Sequence, residues 1–149
     1  MKLASLFSGG KDSMYAISLA QKQGHEVVCL LSVFAKSDES HLLHHPNLHW
    51  TKLQSESMSI PQLTASSDTE KTEDELSVLL TLLQKAKEKF NIDGLVHGGI
   101  KSQFQKEKFE SLCVELDLVA LDPLWETDPV QYMNELIDNN FNFIMTTVT

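Results

Sequence analysis

Arginine is absent from this sequence of 149 residues, and lysine supplies every basic side chain. The 12 lysines stand against 21 acidic residues, which gives a formal net charge of −9. Arginine provides the planar fork that binds phosphates and bases through paired hydrogen bonds, and nucleic-acid binding relies on neutralising many backbone phosphates. The composition therefore argues against general nucleic-acid binding, although a small local basic site is compatible with it.

Cysteine is scarce, and long apolar runs are missing. The two cysteines, Cys29 and Cys113, lie far apart in apolar stretches and form no CxxC pair, so we expect buried, reduced thiols. No apolar run approaches the roughly 20 residues of a membrane-spanning helix, and the strand-like run at 2–7 leads us to expect no signal peptide. These absences predict a cytoplasmic protein without a membrane partner. They leave the oligomeric state open, with a homo-oligomer among the alternatives.

Strand-like and helix-like segments alternate along the chain. Apolar runs predict strands at 3–7, 26–33, 60–65, 92–97, 118–121 and 141–148, and helical spacing with capping residues predicts helices at 12–23, 47–58, 73–90, 102–116 and 128–139. This alternation predicts an α/β fold with an open, doubly wound, Rossmann-like parallel sheet of five or six strands, in a single domain over residues 1–149. Ligands of such sheets bind at the carboxyl ends of the strands. Function is therefore expected in the loops after Phe7, Val33 and His97.

The loop between the first strand and the first helix has the features of a phosphate site. Residues 8–13 read Ser-Gly-Gly-Lys-Asp-Ser. Paired glycines let the backbone approach a ligand closely, and the free N–H groups at a helix start attract anions. Ser8 and Ser13 can add hydroxyl donors, Lys11 can neutralise phosphate charge, and Asp12 is a candidate Mg²⁺ ligand. The alternative is an ordinary turn in which Asp12 and Ser13 only cap the helix.

Two common nucleotide motifs do not fit this loop. The P-loop pattern GxxxxGK[ST] requires a glycine where Ser5 stands, and the dinucleotide pattern GxGxxG is absent. The string Ser-Gly-Gly-Lys-Asp-Ser instead resembles the signature of the N-type ATP pyrophosphatases, the PP-loop family, whose fold is that of the adenine nucleotide alpha hydrolases. The resemblance implies that ATP is split between its α and β phosphates.

Further segments narrow the resemblance to the diphthine–ammonia ligase branch of that family. Residues 6–16 resemble its version of the loop, 45–47 its second loop, 94–105 its GLVxGAIxSxYQ segment, and 123–125 its Pro-Leu-Trp motif. The likeness covers essentially the whole chain. Three positions depart from the family pattern: Phe104 stands where tyrosine is usual, Gly99 where alanine is usual, and Lys106 or Lys108 where arginine is common.

The resemblance implies an ATP-dependent carboxylate–ammonia ligase. ATP would adenylate the diphthine carboxylate on a translation elongation factor, and free ammonia would then displace AMP to form an amide. Lys11 and Asp12 are the catalytic candidates, and Asp12 is the candidate ligand of Mg²⁺. The residues assigned to ATP are Ser8, Gly9, Gly10, Lys11, Asp12, Ser13, Ser32, Gly98, Gly99 and Gln105, with Ser32 at the strand end where the family holds adenine through backbone groups.

Two other functions remain alternatives. One is another PP-loop adenylating activity such as tRNA modification, against which the missing CxxC and the missing arginines weigh. The other is a non-catalytic nucleotide-binding domain. Its support is that the family continues past the last strand into a segment rich in glycine and glutamate, whereas this sequence ends at Thr149. We therefore expect the chain to bind ATP but to amidate an acceptor poorly by itself.

Several neighbouring residues admit a structural interpretation beside the functional one. Gly98 and Gly99 either approach the nucleotide or form a tight turn, and Ser102 is expected to cap a helix. Trp125 is expected in the core, with a wall near the acceptor as the alternative. The carboxylates at 70 and 73–75 are expected on a solvated helix face. His41, His44, His45 and His49 have the spacing of a metal site, but Pro46 interrupts it, so a loop with exposed histidines is expected instead of zinc.

Overall fold

A computed structural model describes residues 1–34, 47–68 and 71–145, apart from the side chain of Leu48. The strands are β1 (Lys2–Leu6), β2 (Glu26–Phe34), β3 (Gln62–Ser66), β4 (Gly94–Val96) and β5 (Val119–Leu121). The helices are α1 (Lys11–Lys22), α2 (Leu48–Met58), α3 (Thr72–Phe90), α4 (Gln103–Glu115) and α5 (Pro129–Asp138). Residues 35–46 and 69–70, among them Glu70 of the predicted solvated face, lie outside the described residues.

The five strands form one parallel sheet in the order β3-β2-β1-β4-β5. The chain runs outward from β1 to β3, then returns beside β1 with β4 and continues to β5. The direction of winding therefore reverses between β1 and β4, and ligands bind at such switch points in open α/β sheets. This architecture confirms the predicted doubly wound parallel sheet, with β1 at its centre.

Two apolar cores cover the two faces of the sheet, because side chains alternate along each strand. Leu95 lies in the core under α3 and α4, and its neighbour Val96 lies in the core under α1 and α5. The free thiols of Cys29 and Cys113 are both buried in the first core, as predicted. Burial raises the pKa of Cys29 to about 12 and that of Cys113 to about 11, so both stay protonated.

Local signals mark several helix ends. The Asp128 carboxylate accepts hydrogen bonds from the first amides of α5, which has a proline in its first turn. Ser102 caps α4 by accepting from the Gln105 amide at 3.3 Å, as predicted. Gly24 follows α1 with a positive φ of 85°, a conformation that glycine adopts without strain. Across the described ranges, no helix has the length and hydropathy of a membrane-spanning segment.

The last predicted strand and the predicted position of Glu75 differ from the structure. Residues 141–145 of the predicted last strand are not in a strand; Phe141 and Phe143 instead pack on the core under α1 and α5, and their period-two spacing imitates a strand. Residues 146–149 lie outside the described part. Glu75, predicted on the solvated face of α3, is only 1% exposed. The reason is that it lies on the same helical stripe as the buried Leu79 and Leu82.

Candidate functional site

The loop between β1 and α1 begins at the carboxyl end of the central strand. Gly9 has a φ of +80°, in the left-handed region that favours glycine. A Cβ atom at Gly9 would lie 2.6 Å from Oε1 of Gln54, on α2. Gly10 is extended, with φ −81° and ψ 167°, and starts α1 without a side-chain cap. The loop therefore leaves the first amides of α1 available to an anion, and the capping alternative for Asp12 and Ser13 is not supported.

The two serines of the loop hold its turn. The Ser8 hydroxyl accepts from the Gly10 amide at 3.4 Å, and the Ser13 hydroxyl donates to the Gly10 carbonyl at 3.0 Å. The two hydroxyl oxygens lie 3.3 Å apart. Ser13 is buried, whereas Ser8 is half-buried at the loop surface. Both hydroxyls thus lie beside the first turn of α1, where they could reorient towards a phosphate oxygen.

Lys11 and Asp12 form an ion pair at the start of α1. The Lys11 ammonium lies 2.6 Å from Asp12 Oδ1, and the two side chains are 23% and 38% exposed. The Tyr132 hydroxyl of α5 donates to the same Oδ1, and the Lys11 ammonium lies 5.3 Å from the centre of the Tyr132 ring. Burial, with the hydrogen bond to Asp12, raises the pKa of Tyr132, so its hydroxyl remains a donor.

The turn after β4 packs directly against the loop at residues 8–13 and the start of α1. A Cβ atom at Gly98 would lie 2.6 Å from the backbone carbon of Asp12 and 2.9 Å from the Ser13 nitrogen. Gly98 is thus required for the close approach of β4 to the first turn of α1. This contact supports the structural interpretation of Gly98, and it also brings Gly99 to the edge of the same site. The Gly99 amide donates to Nδ1 of His97 at 3.2 Å.

His97 is a buried residue of this region that the sequence interpretation did not select. It is 2% exposed, and its ring stacks edge-on against Phe109 of α4 at 5.0 Å between centres. Burial lowers its pKa from 6.5 to about 4. Since Nδ1 accepts from Gly99, the proton of the neutral ring lies on Nε2, which has no hydrogen-bond partner within the described residues.

The other residues assigned to ATP lie on both sides of the loop. Ser32 is buried at the end of β2, where its hydroxyl donates to the Phe7 carbonyl at 2.7 Å and accepts from Gln62 Nε2 at 2.8 Å. A contact between Ser32 and adenine would therefore use its backbone. Gln105 is half-buried in the first turn of α4, after the Gly98–Gly99 turn.

Gln54 of α2 also contacts the loop, and it too was not selected from the sequence. Its amide nitrogen donates to the Gly9 carbonyl at 3.0 Å. Gly10, unlike Gly9, has room for a methyl group. The nearest atom to a Cβ added at Gly10 would be Ser8 Oγ, at 3.5 Å. The three walls of the site are therefore α1, α2 and the turn after β4.

The Pro-Leu-Trp motif follows β5 and is attached to the same edge of the sheet. The Glu126 amide donates to the Ile100 carbonyl at 2.8 Å. Leu124 is buried in the core, whereas Trp125 is half-buried and has the Lys106 ammonium 4.7 Å from the centre of its ring. Lys106 also pairs with Asp122. The expected core position of Trp125 is thus wrong, because Leu124 fills the core from the neighbouring position.

The histidine cluster can be followed only in part. His41, His44 and His45 lie outside the described residues, and His49 is exposed on α2 beside Trp50. In the ranges that the structure covers, no three His, Cys, Asp or Glu side chains form a metal-binding group. A magnesium ion would fit here only through the Asp12 carboxylate together with phosphate oxygens and water, which is the usual coordination of Mg²⁺ beside a nucleotide.

The doubly wound parallel sheet, with the glycine loop at its switch point, defines an α/β fold that is consistent with the PP-loop superfamily. The chain belongs to the family described as diphthamide synthase N-terminal domain, whose model matches residues 1–120. That match confirms the predicted family.

Curated relatives agree with this assignment. The chain is 31% identical to a diphthine–ammonia ligase of Mus musculus and 30% identical to one of Homo sapiens, in each case over 99% of this chain and 62% of the relative. A diphthine–ammonia ligase of Saccharomyces cerevisiae is 29% identical over 91% of this chain and 22% of its own length. The chain therefore spans about 62% of the length of the mammalian relatives it matches.

Proposed function

We propose that this chain binds ATP at residues 8–13 and acts in an ATP-dependent, amide-forming reaction of the diphthine–ammonia ligase type. ATP would adenylate the diphthine carboxylate on a translation elongation factor and release pyrophosphate, and ammonia would displace AMP. The names of the relatives support a ligase of diphthamide synthesis. The observation that carries the proposal is the strand–loop–helix at the β1–β4 switch point, with Gly9 in the left-handed conformation and the α1 amides uncapped.

The residues of the loop suit the charge that develops when the α–β bond of ATP breaks. Negative charge accumulates on the leaving pyrophosphate, and fixed donors aimed at that charge lower the barrier. The α1 amides supply such donors without reorganisation, and the hydroxyls of Ser8 and Ser13 lie beside them. Lys11 supplies the positive charge. When bound, Mg²⁺ would neutralise phosphate oxygens, with Asp12 as its protein ligand.

Lys11 has to change partner for this role. Its ammonium lies 2.6 Å from Asp12 Oδ1. Both side chains are partly exposed, so the pair is screened by solvent and costs little to separate. An incoming phosphate offers Lys11 more negative charge than one carboxylate does, and Asp12 is then released for the cation.

The nucleotide products provide the test. With an acceptor bearing diphthine, ammonium and MgATP, chromatography should find AMP and pyrophosphate, and mass spectrometry should find the acid converted to the amide. ADP and phosphate as the main products would contradict the proposal. ATP binding without AMP release under these conditions would favour the non-catalytic alternative. AMP release only with a tRNA acceptor would favour tRNA modification.

Matched variants connect the reaction with the loop. Lys11→Ala together with Gly10→Val should abolish ATP binding, because the first removes the cation and the second fills the space over the Gly10 backbone. Lys22→Ala is the control, since it removes an exposed lysine from the last turn of the same helix. Equal ATP binding by the double variant and Lys22→Ala would exclude residues 8–13 as the nucleotide site.

A further inference from the structure

Tyr132 contacts both charged side chains of the loop, although it lies 120 residues from Asp12 in the sequence. Its hydroxyl donates to Asp12 Oδ1, and its ring lies below the Lys11 ammonium. Tyr132 is buried, and its ring lies 5.8 Å from that of Tyr15 on α1. A residue of α5 therefore helps to fix the ionic groups at the start of α1.

We propose that Tyr132 is a positioning residue of the nucleotide site, whose hydroxyl orients the Asp12 carboxylate as a ligand for the magnesium ion that accompanies ATP. This inference rests on the proposed function. Tyr132 would act through Asp12 and would not itself touch the nucleotide.

The hydrogen bonds of Asp12 define which oxygen serves the cation. Both the Tyr132 hydroxyl and the Lys11 ammonium are bound to Oδ1. Oδ2 is therefore the carboxylate oxygen left for a metal, and the side chain is 38% exposed, so a cation can reach it. Partners that hold a metal ligand in place commonly change metal affinity by about 10–100-fold when they are removed.

The two partners of Oδ1 differ in how firmly they are held. Lys11 has a long, flexible side chain and must move to reach a phosphate. Tyr132 is fixed in an aromatic cluster with Tyr15, which also stacks edge-on against Phe141 at 5.2 Å. When Lys11 leaves, Tyr132 stays, so the carboxylate remains oriented while the ion pair is exchanged for the ligand.

Tyr15 supplies a matched control within the same cluster. It is as buried as Tyr132, and its hydroxyl donates to Glu135 Oε2 at 3.1 Å, away from the loop. Tyr132→Phe and Tyr15→Phe each remove one hydroxyl and keep one ring. The pair therefore separates the bond to Asp12 from the general loss of a hydrogen bond between α1 and α5.

The experiment measures ATP binding by calorimetry as Mg²⁺ is titrated, and again with a chelator present. We expect Tyr132→Phe to need about 10–100-fold more Mg²⁺ for half-maximal enhancement of ATP binding, with metal-free binding nearly unchanged. Tyr15→Phe should match the wild type in both measurements. Circular dichroism melting of both variants verifies that each is folded at the assay temperature.

A double-mutant cycle tests whether Tyr132 acts through Asp12. In the Asp12→Asn background, which lacks the coordinating charge, adding Tyr132→Phe should produce no further change in the Mg²⁺ requirement. If the wild type binds ATP and Tyr132→Phe retains the wild-type Mg²⁺ requirement, the inference is wrong and the proposed function stands. If the wild type binds no nucleotide, the proposed function fails and the inference fails with it.

Discussion

The side-chain amide of Gln54 donates to the Gly9 carbonyl across 3.0 Å and 45 residues of sequence. Gly9 is the loop residue in the left-handed conformation. The bond thus joins α2 to the residue with the left-handed backbone in the loop at residues 8–13, and a Cβ atom on Gly9 would collide with the same amide group. Gln54 and the glycine conformation therefore support each other in holding the loop in this conformation.

We expect loss of this hydrogen bond to increase the mobility of the loop and to lower the stability of the whole fold only slightly. Gln54→Leu keeps the side-chain bulk and loses the donor, which should lower the free energy of unfolding by about 0.5–1.5 kcal/mol. If the same free energy is needed to order the loop when ATP binds, ATP binds about two- to tenfold more weakly. Urea unfolding and calorimetry measure the two effects. Lys52→Ala, an exposed position on the same helix, is the control, and equal behaviour of the two variants would contradict the role of Gln54.

Gly98 and Gly99 should respond differently to the same substitution. Gly98→Ala forces a methyl group to within 2.6 Å of the Asp12 backbone, and because two backbone segments must separate, we expect a loss of about 1–3 kcal/mol in unfolding free energy. The displaced α1 start should also weaken ATP binding. Both effects are measured by denaturant unfolding and ATP titration.

Gly99→Ala is the matched substitution one residue later. Its Cβ would meet only the His97 ring, at 3.0–3.2 Å, which is a less close contact than the 2.6 Å to backbone at Gly98. The lower entropy of the unfolded chain offsets part of the cost, so we expect a change of less than about 1 kcal/mol in unfolding free energy. A loss at Gly99 as large as that at Gly98 would show that the contact with Asp12 is not the cause.

Most helices and strands were predictable from the sequence, because their patterns are set by residues that are close together in the chain. Apolar runs mark β2, and three-and-four spacing marks α3, while Asp128 with the following proline marks the start of α5. The glycine pair before Lys11 marks the loop between β1 and α1 for the same reason. The alternation of these elements then defined the parallel sheet, since few topologies accommodate it.

The contacts that complete the site were not predictable in this way. Gln54 and Tyr132 reach the loop from 45 and 120 residues away, and no local pattern states which helices meet. The strand predicted from Phe141 onward was wrong because the pattern there is ambiguous. A short apolar alternation looks the same whether it pairs in a sheet or packs on α1. His97 had a usable signal: it continues the alternation of Leu95, which faces the core under α3 and α4.

The buried His97 should make the stability of the protein depend on pH. Its pKa is lowered to about 4 in the folded protein, against 6.5 for an exposed histidine. The folded state therefore holds His97 neutral, and the unfolded state takes up a proton as the pH falls below 6.5. The stability that depends on neutral His97 is fully present above pH 6.5. It is lost as the pH falls from 6.5 towards 4, which lowers the free energy of unfolding by up to about 3 kcal/mol.

His97→Asn tests this contribution, because asparagine can accept from the Gly99 amide and does not titrate. Urea unfolding between pH 7.5 and 4.5 should give a flatter dependence on pH for His97→Asn than for the wild type, even though the smaller side chain lowers stability at pH 7.5. His49→Asn, the same change at an exposed position, should run parallel to the wild type. Parallel curves for His97→Asn and the wild type would mean that the unfolded and folded states protonate His97 equally, and that its burial does not hold the ring neutral.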